Sequence, residues 1–235
     1  MIELPWLLPG SSQFPPTANA LEDPNGLLAA GGDLEPDTLL TAYRLGIFPW
    51  FDESQPILWW SPSPRAVIIP GEEHLSRSLK KHIRRSDQEI RCNTAFAEVM
   101  LACAEPRAED EGSWITEDMV DAYIELHELG HAHSVETWHE GTLVGGLYGL
   151  KVGSVFFGES MFSRQSNASK YAFATLCQIA RELGIGLIDC QVHNSHLESL
   201  GSQDIERPAF ETLLQELTSK PTSQQFPQGR HLSEF

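Results

Sequence analysis

The chain has 235 residues, 41% of them apolar, enough for one sizeable hydrophobic core or for one core with a small lobe attached. Its formal net charge of -17, from 33 acidic and 16 basic side chains, argues on its own against a nucleic-acid partner. The four cysteines (Cys92, Cys103, Cys177, Cys190) form no CxxC pair, the opening "MIELPWLLPG" lacks a basic leader, and no apolar run reaches the roughly 20 residues of a membrane span, so the expectation is a soluble, reduced, cytoplasmic protein.

In chain order, residues 1–64 are rich in Pro, Gly and Trp and read as a small N-terminal domain with one helix, from Pro36 to a stop at Gly46. Residues 65–235 read as a second, larger domain. "SPSPRAVIIP" brings the chain into a strand, and "RSLKKHIRR" follows as a helix carrying five of the sixteen cations and no acid. Arg77, Lys81, Arg84 and Arg85 share one face of that helix, with Lys80 beside them. In so acidic a chain this stripe is a candidate phosphate-docking site. A helix over about 93–103 and an acidic loop, "AEPRAEDEG", come next. A further helix is N-capped by Thr116 and stopped at Gly130.

Three strands with turn signals between them, "AHSVETWHEG", "TLVGGLYGLKVG" and "SVFFGESMF", predict an antiparallel meander. "NASKYAFATLCQIARELG" is an amphipathic helix ending at Gly184, "IGLIDCQV" a strand and "SHLESLG" a short helix. The tail after Lys220 is polar and expected to be loose. The order describes an α+β protein with a mostly antiparallel sheet, as in the N-acyltransferase fold.

Chemistry concentrates in "LIDCQVHNSHLESLG", residues 187–201. Strand alternation turns Asp189 and Gln191 to one side and Cys190 to the other, which makes Cys190 a core thiol and the acid–amide pair the candidate for handling an amine's proton. A cap on the following helix is the alternative role for Asp189. His193 and His196 lie three apart, and His131 and His133 two apart, but no acid or thiol completes a metal-ligand pattern, so no metal is expected. Glu159 follows an aromatic strand and is either a structural salt-bridge partner or a contact for a cationic ligand. Leu147, Phe156, Phe173, Leu176 and Ile188 form a candidate apolar pocket beside it. The Q/R-x-x-G-x-G/A turn that holds coenzyme A pyrophosphate is missing before the helix at Asn167, so another acyl donor is expected, and the basic helix makes a nucleic acid the candidate carrier.

Long blocks in order, "EDPNGLLAAGGDLEPDTLLTAYRLGIFPWF", "ILWWSPSPRAV", "GSWIT", "ELHELGHAHSVETW", "LVGGLYG", "FFGESMFSR", "NASK" and "LIDCQVHNSHLESLG", resemble the leucyl/phenylalanyl-tRNA–protein transferases nearly end to end. The resemblance implies transfer of Leu or Phe, less readily Met, from aminoacyl-tRNA to the α-amino group of proteins beginning with Arg or Lys, marking them for degradation. It implies no metal or coenzyme and an N-acyltransferase-like second domain. It matches Asp189 and Gln191 to a pair that helps draw a proton from the attacking amine; Asp189 is either the base, which is the expectation, or the group that orients the amine while the ribose hydroxyl of the tRNA assists. Glu159, joined by Asn194, is matched to acceptor binding, and Trp50 and Trp114 to the terminal adenosine of the tRNA. Leu147 stands where a Met is expected and Leu176 where a Phe is, both still apolar. The competing readings are an N-acyltransferase of basic N-termini using a small donor such as acyl-CoA, and a silent module that binds basic N-termini through Glu159 and Asp189.

Overall fold

A computed structural model describes residues 4–105, 115–220 and 225–231. Strands β1 (Trp6–Leu7), β2 (Leu27–Gly31), β3 (Phe48–Pro49) and β4 (Leu58–Trp60) form a small sheet in the order β1-β2-β4-β3, beside helix α1 (Pro36–Arg44). Pro36 sits in the first turn of α1, where its missing N–H costs nothing, and Gly46 just beyond the helix takes φ +76°.

The second sheet has eight strands. It is built from β5 (Arg65–Ile68), β6 (Glu89–Cys92), β7 (Ala132–His139), β8 (Thr142–Val152), β9 (Val155–Ser163), β10 (Leu187–Gln191), β11 (Gln203–Ile205) and β12 (Gly229–His231). Their order is β11-β5-β10-β9-β8-β7-β6-β12, antiparallel throughout except between β9 and β10. The helices are α2 (Arg77–Arg85), α3 (Phe96–Ala104), α4 (Glu117–Glu128), α5 (Ala168–Leu183), α6 (Ser195–Ser199) and α7 (Arg207–Thr218). The fold is α+β, with the meander β7-β8-β9 at its centre, as the strand patterns predict.

Alternation along the strands sorts the core onto two faces. Val135, Leu147, Phe156 and Ile188 pack against α5 and against Leu79 and Ile83 of α2. Tyr148, Leu150, Phe157 and Leu187 join a cluster with α3, α4, α1 and the small sheet. The two sheets therefore share one core.

Three differences from expectation have local causes. The helix predicted from about residue 93 starts at Phe96, because Asn93 takes φ 56° and the carboxylate of buried Glu136 accepts the N–H groups of Thr94 and Ala95 ahead of it. Helix α7 was not anticipated: it buries only Phe210 and Leu214, a single i, i+4 pair. The tail is tied down over 225–231, where Phe226 stacks on His133 with ring centroids 4.3 Å apart and β12 pairs with the edge strand β6.

Two bulges shape what lies between β9 and β10. Their parallel pairing ends at Phe157 and Asp189. Just beyond, Glu159 is the extra residue where β9 slips against β8, and Cys190 the extra residue where β10 slips against β5. Gln191 takes φ 63° to make the second bulge. The first depends on Gly149, where an added Cβ would lie 2.1 Å from the Phe157 carbonyl oxygen and 2.6 Å from the Phe156 ring. Gly149→Ala should cost at least about 1–3 kcal/mol of stability, read as a lowered denaturant midpoint; an unchanged midpoint would show that the bulge tolerates a side chain.

Candidate active site

Turned out of the ladder by its bulge, Glu159 lies buried among hydroxyls and an amide. Tyr43 of α1 donates to Oε1 at 2.7 Å, Gln191 Nε2 donates to the same oxygen at 2.9 Å, and the Tyr123 hydroxyl of α4 hydrogen-bonds Oε2 at 3.3 Å. The two phenols also hydrogen-bond each other. Removal from water pushes the Glu159 carboxyl up to about 8 against the pull of these donors. No cation pairs with it among the described residues.

Arg65, the cation whose charge Glu159 feels, is committed elsewhere. Arg65 of β5 and Asp189 of β10 are 1% and 0% exposed and form a two-pronged pair, Nε to Oδ1 at 2.8 Å and Nη2 to Oδ2 at 2.7 Å. The guanidinium is stacked between the rings of Phe48 and Phe210, at 4.8 and 4.7 Å from their centroids, and its Nη1 donates to the Gly46 carbonyl at 3.1 Å. Asp189 Oδ1 also accepts the backbone N–H of Gln191 at 2.9 Å. That bond pins the bulge, and the bulge aims the Gln191 amide at Glu159.

A cleft of about 610 Å³ opens where β9 and β10 part. Leu147, Phe173, Leu176 and Ile188 line its apolar side, Glu159 and Gln191 its polar side, and Trp50 its rim. An apolar recess next to a buried carboxylate without a counter-ion can take one apolar and one cationic group at once.

Two family models cover most of the chain. Residues 32–63 match the leucyl/phenylalanyl-tRNA protein transferase N-terminal domain, and residues 67–215 the leucyl/phenylalanyl-tRNA protein transferase model. A leucyl/phenylalanyl-tRNA–protein transferase of Saccharophagus degradans is 55% identical over 222 residues, covering 94% of this chain and 91% of that one. One of Pseudomonas fluorescens is 58% identical over 218 residues, covering 93% and 96%. The chain belongs to the leucyl/phenylalanyl-tRNA–protein transferase family. It is an aminoacyltransferase. Among solved structures, a GCN5-related N-acetyltransferase-like protein from Streptococcus suis covers 68% of this chain and 60% of its own at 12% identity, with a TM-score of 0.35, too loose a likeness to argue from.

Within this transferase the residues singled out in the sequence fall into groups. Leu147, Phe173, Leu176 and Ile188 meet in the cleft, whereas Phe156 does not line it: it is fully buried against α5 and Phe226. Asp189 does not stand free as a base, because both its oxygens are taken up by Arg65 and the Gln191 N–H. Cys190 packs half-buried against the core cluster of α5, but the bulge breaks the alternation and brings it to the cleft wall as well; burial holds the thiol well above its usual range. Asn194 lines the cleft mouth, but its Oδ1 is occupied in capping α6 through the Leu197 N–H at 2.9 Å. Trp114 lies outside the described residues. Arg77, Lys80, Lys81, Arg84 and Arg85 are exposed on α2 and make no ion pair among the described residues.

Arg65, Tyr43 and Tyr123 escaped the sequence reading. Arg65 stands in an ordinary strand pattern, and its only signal was a lone cation among apolar neighbours, "PRAVII". Arg65→Met should lower stability by about 3–5 kcal/mol, since it strands a buried carboxylate, and Asp189→Leu added to it should recover most of that loss while transfer stays impaired. Denaturant midpoints and transfer rates of the single and double variants test this; a double variant that is stable and fully active would remove the pair from the account.

Proposed function

We propose that the protein transfers Leu or Phe, and less readily Met, from aminoacyl-tRNA to the α-amino group of proteins beginning with Arg or Lys, marking them for degradation, and that it works as a cytoplasmic monomer. The observation that carries the acceptor side of this reading is Glu159: a buried carboxyl group with no ion pair among the described residues, facing a cleft. An Arg or Lys side chain supplies the missing charge. No described helix is long and apolar enough to cross a membrane.

The donor's side chain enters the recess of Leu147, Phe173, Leu176 and Ile188, where shape and apolarity select and near isosteres are weakly rejected. Trp50, 44% exposed at the rim, offers a stacking face to the terminal adenosine. The acceptor amine attacks the ester carbonyl carbon; the new C–N bond forms as the C–O bond to ribose breaks, and the amine's proton leaves with the ribose hydroxyl. An aminoacyl ester is already activated, so holding the neutral amine at bonding distance supplies much of the rate. Gln191, whose Nε2 is anchored on Glu159, orients the amine through its carbonyl oxygen. Asp189 is a positioning residue that acts through the Gln191 bulge and does not take the proton itself.

Incubation with leucyl-tRNA and an Arg-initiated peptide should add one leucyl mass to the peptide, with acyl-CoA inert in its place. Glu159→Gln should raise KM for that peptide by about 30-fold or more, as loss of one partner of a desolvated charge pair costs about 2–5 kcal/mol. Transfer from acyl-CoA, or an unchanged KM, would contradict the proposal.

The basic stripe on α2 serves the tRNA. Its contacts are to phosphates, so it contributes affinity and not choice of sequence. Lys81→Ala combined with Arg84→Ala should weaken binding of charged tRNA and flatten its salt dependence, measured as log Kd against log salt; an unchanged slope would place the tRNA elsewhere.

A further inference from the structure

The oxygens of Tyr43, Tyr123 and Glu159 touch one another in three contacts: Tyr43 with Tyr123, Tyr43 with Oε1 and Tyr123 with Oε2. Two phenols bring two hydrogens. If both donate to an ionised carboxylate, the contact between the phenols has none; if one donates to the other, a contact to the carboxylate has none. A proton on Glu159 supplies the third hydrogen and closes the ring, so that each of the three side chains donates once around it.

We infer that Tyr43 and Tyr123 are specificity-determining residues: they close a three-proton ring with Glu159, and the acceptor's cationic side chain binds by displacing one proton from it. The inference rests on the reading that Glu159 receives that side chain. The surroundings favour the protonated ring. Arg65 of β5 is matched by Asp189 of β10, so this buried pair brings no net charge. Gln191 and Tyr148 of β8 are neutral, and burial holds the Tyr43, Tyr123 and Tyr148 hydroxyls well above the usual phenol range, so none of them gives up the proton first. The Glu159 carboxyl, at about 8, is the group that yields. A neutral side chain cannot drive the proton out and meets a closed ring, whereas a cation gains a full charge pair.

The probe is a peptide whose N-terminal residue is replaced by a 5-guanidinopentanoyl group. It keeps the guanidinium, which does not titrate, and has no α-amine, so any proton released comes from the protein. Calorimetric binding to the whole protein in two buffers of different ionisation enthalpy counts that proton. About one proton per peptide should be released at pH 7 and none by about pH 10, with affinity rising about tenfold from pH 6 to 7 and levelling above about pH 8. Tyr43→Phe removes a donor to the carboxylate and keeps the ring's bulk, so it should move the levelling point to higher pH. Binding that needs Glu159 but releases no proton, or a levelling point that Tyr43→Phe leaves in place, overturns the inference. Equal binding to Glu159→Gln overturns both the inference and the reading beneath it.

Discussion

The site depends on one buried ion pair. Arg65 and Asp189 meet where β5, β10, the small sheet and α7 converge, with Phe48 and Phe210 closing over the guanidinium and the Gly46 carbonyl taking its remaining arm. Burying two charges costs several kcal/mol each, and replacing such a pair by apolar residues is often neutral or stabilising, so stability alone does not explain it. Its geometry does more: Asp189 Oδ1 holds the Gln191 N–H, which sets the bulge that directs the amide at Glu159. The pair also commits Arg65 to Asp189, and among the described residues no other cation pairs with Glu159.

Two buried acids a few residues from the same cleft thus have different states because their partners differ. Asp189 is matched by a guanidinium inside the fold; Glu159 is surrounded by neutral donors, and burial raises its carboxyl. On our reading the first acid is part of the scaffold and the second receives the acceptor's charge. The apolar recess next to it asks only for shape, so the donor side selects loosely and the acceptor side by charge.

The sequence was legible where periodicity is strong. The meander 132–163, the helix from Ala168 to its stop at Gly184 and the capped helix after Thr116 follow from alternation, helical spacing and end signals. Leu147, Phe173, Leu176 and Ile188 were legible as a pocket because they repeat on element faces that pack together. Alternation failed at Asp189, Cys190 and Gln191 because a bulge is one inserted residue and carries no pattern of its own. Arg65 could not be read as the partner of Asp189, since 124 residues separate them and only the sheet order brings β5 beside β10. Tyr43 and Tyr123 lie on buried helix faces where a tyrosine reads as core; their hydroxyls meet Glu159 only through the packing of α1 and α4 on the sheet.

The central claim is that the acceptor's charge, and not its shape, fills the place beside Glu159. Single-turnover transfer from leucyl-tRNA to two peptides that differ only in an N-terminal Arg or its uncharged isostere citrulline tests it most directly. The account predicts efficient transfer to the Arg peptide and a drop of about 30-fold or more in kcat/KM for citrulline, the scale of a lost desolvated charge pair. Equal transfer to both peptides would contradict it.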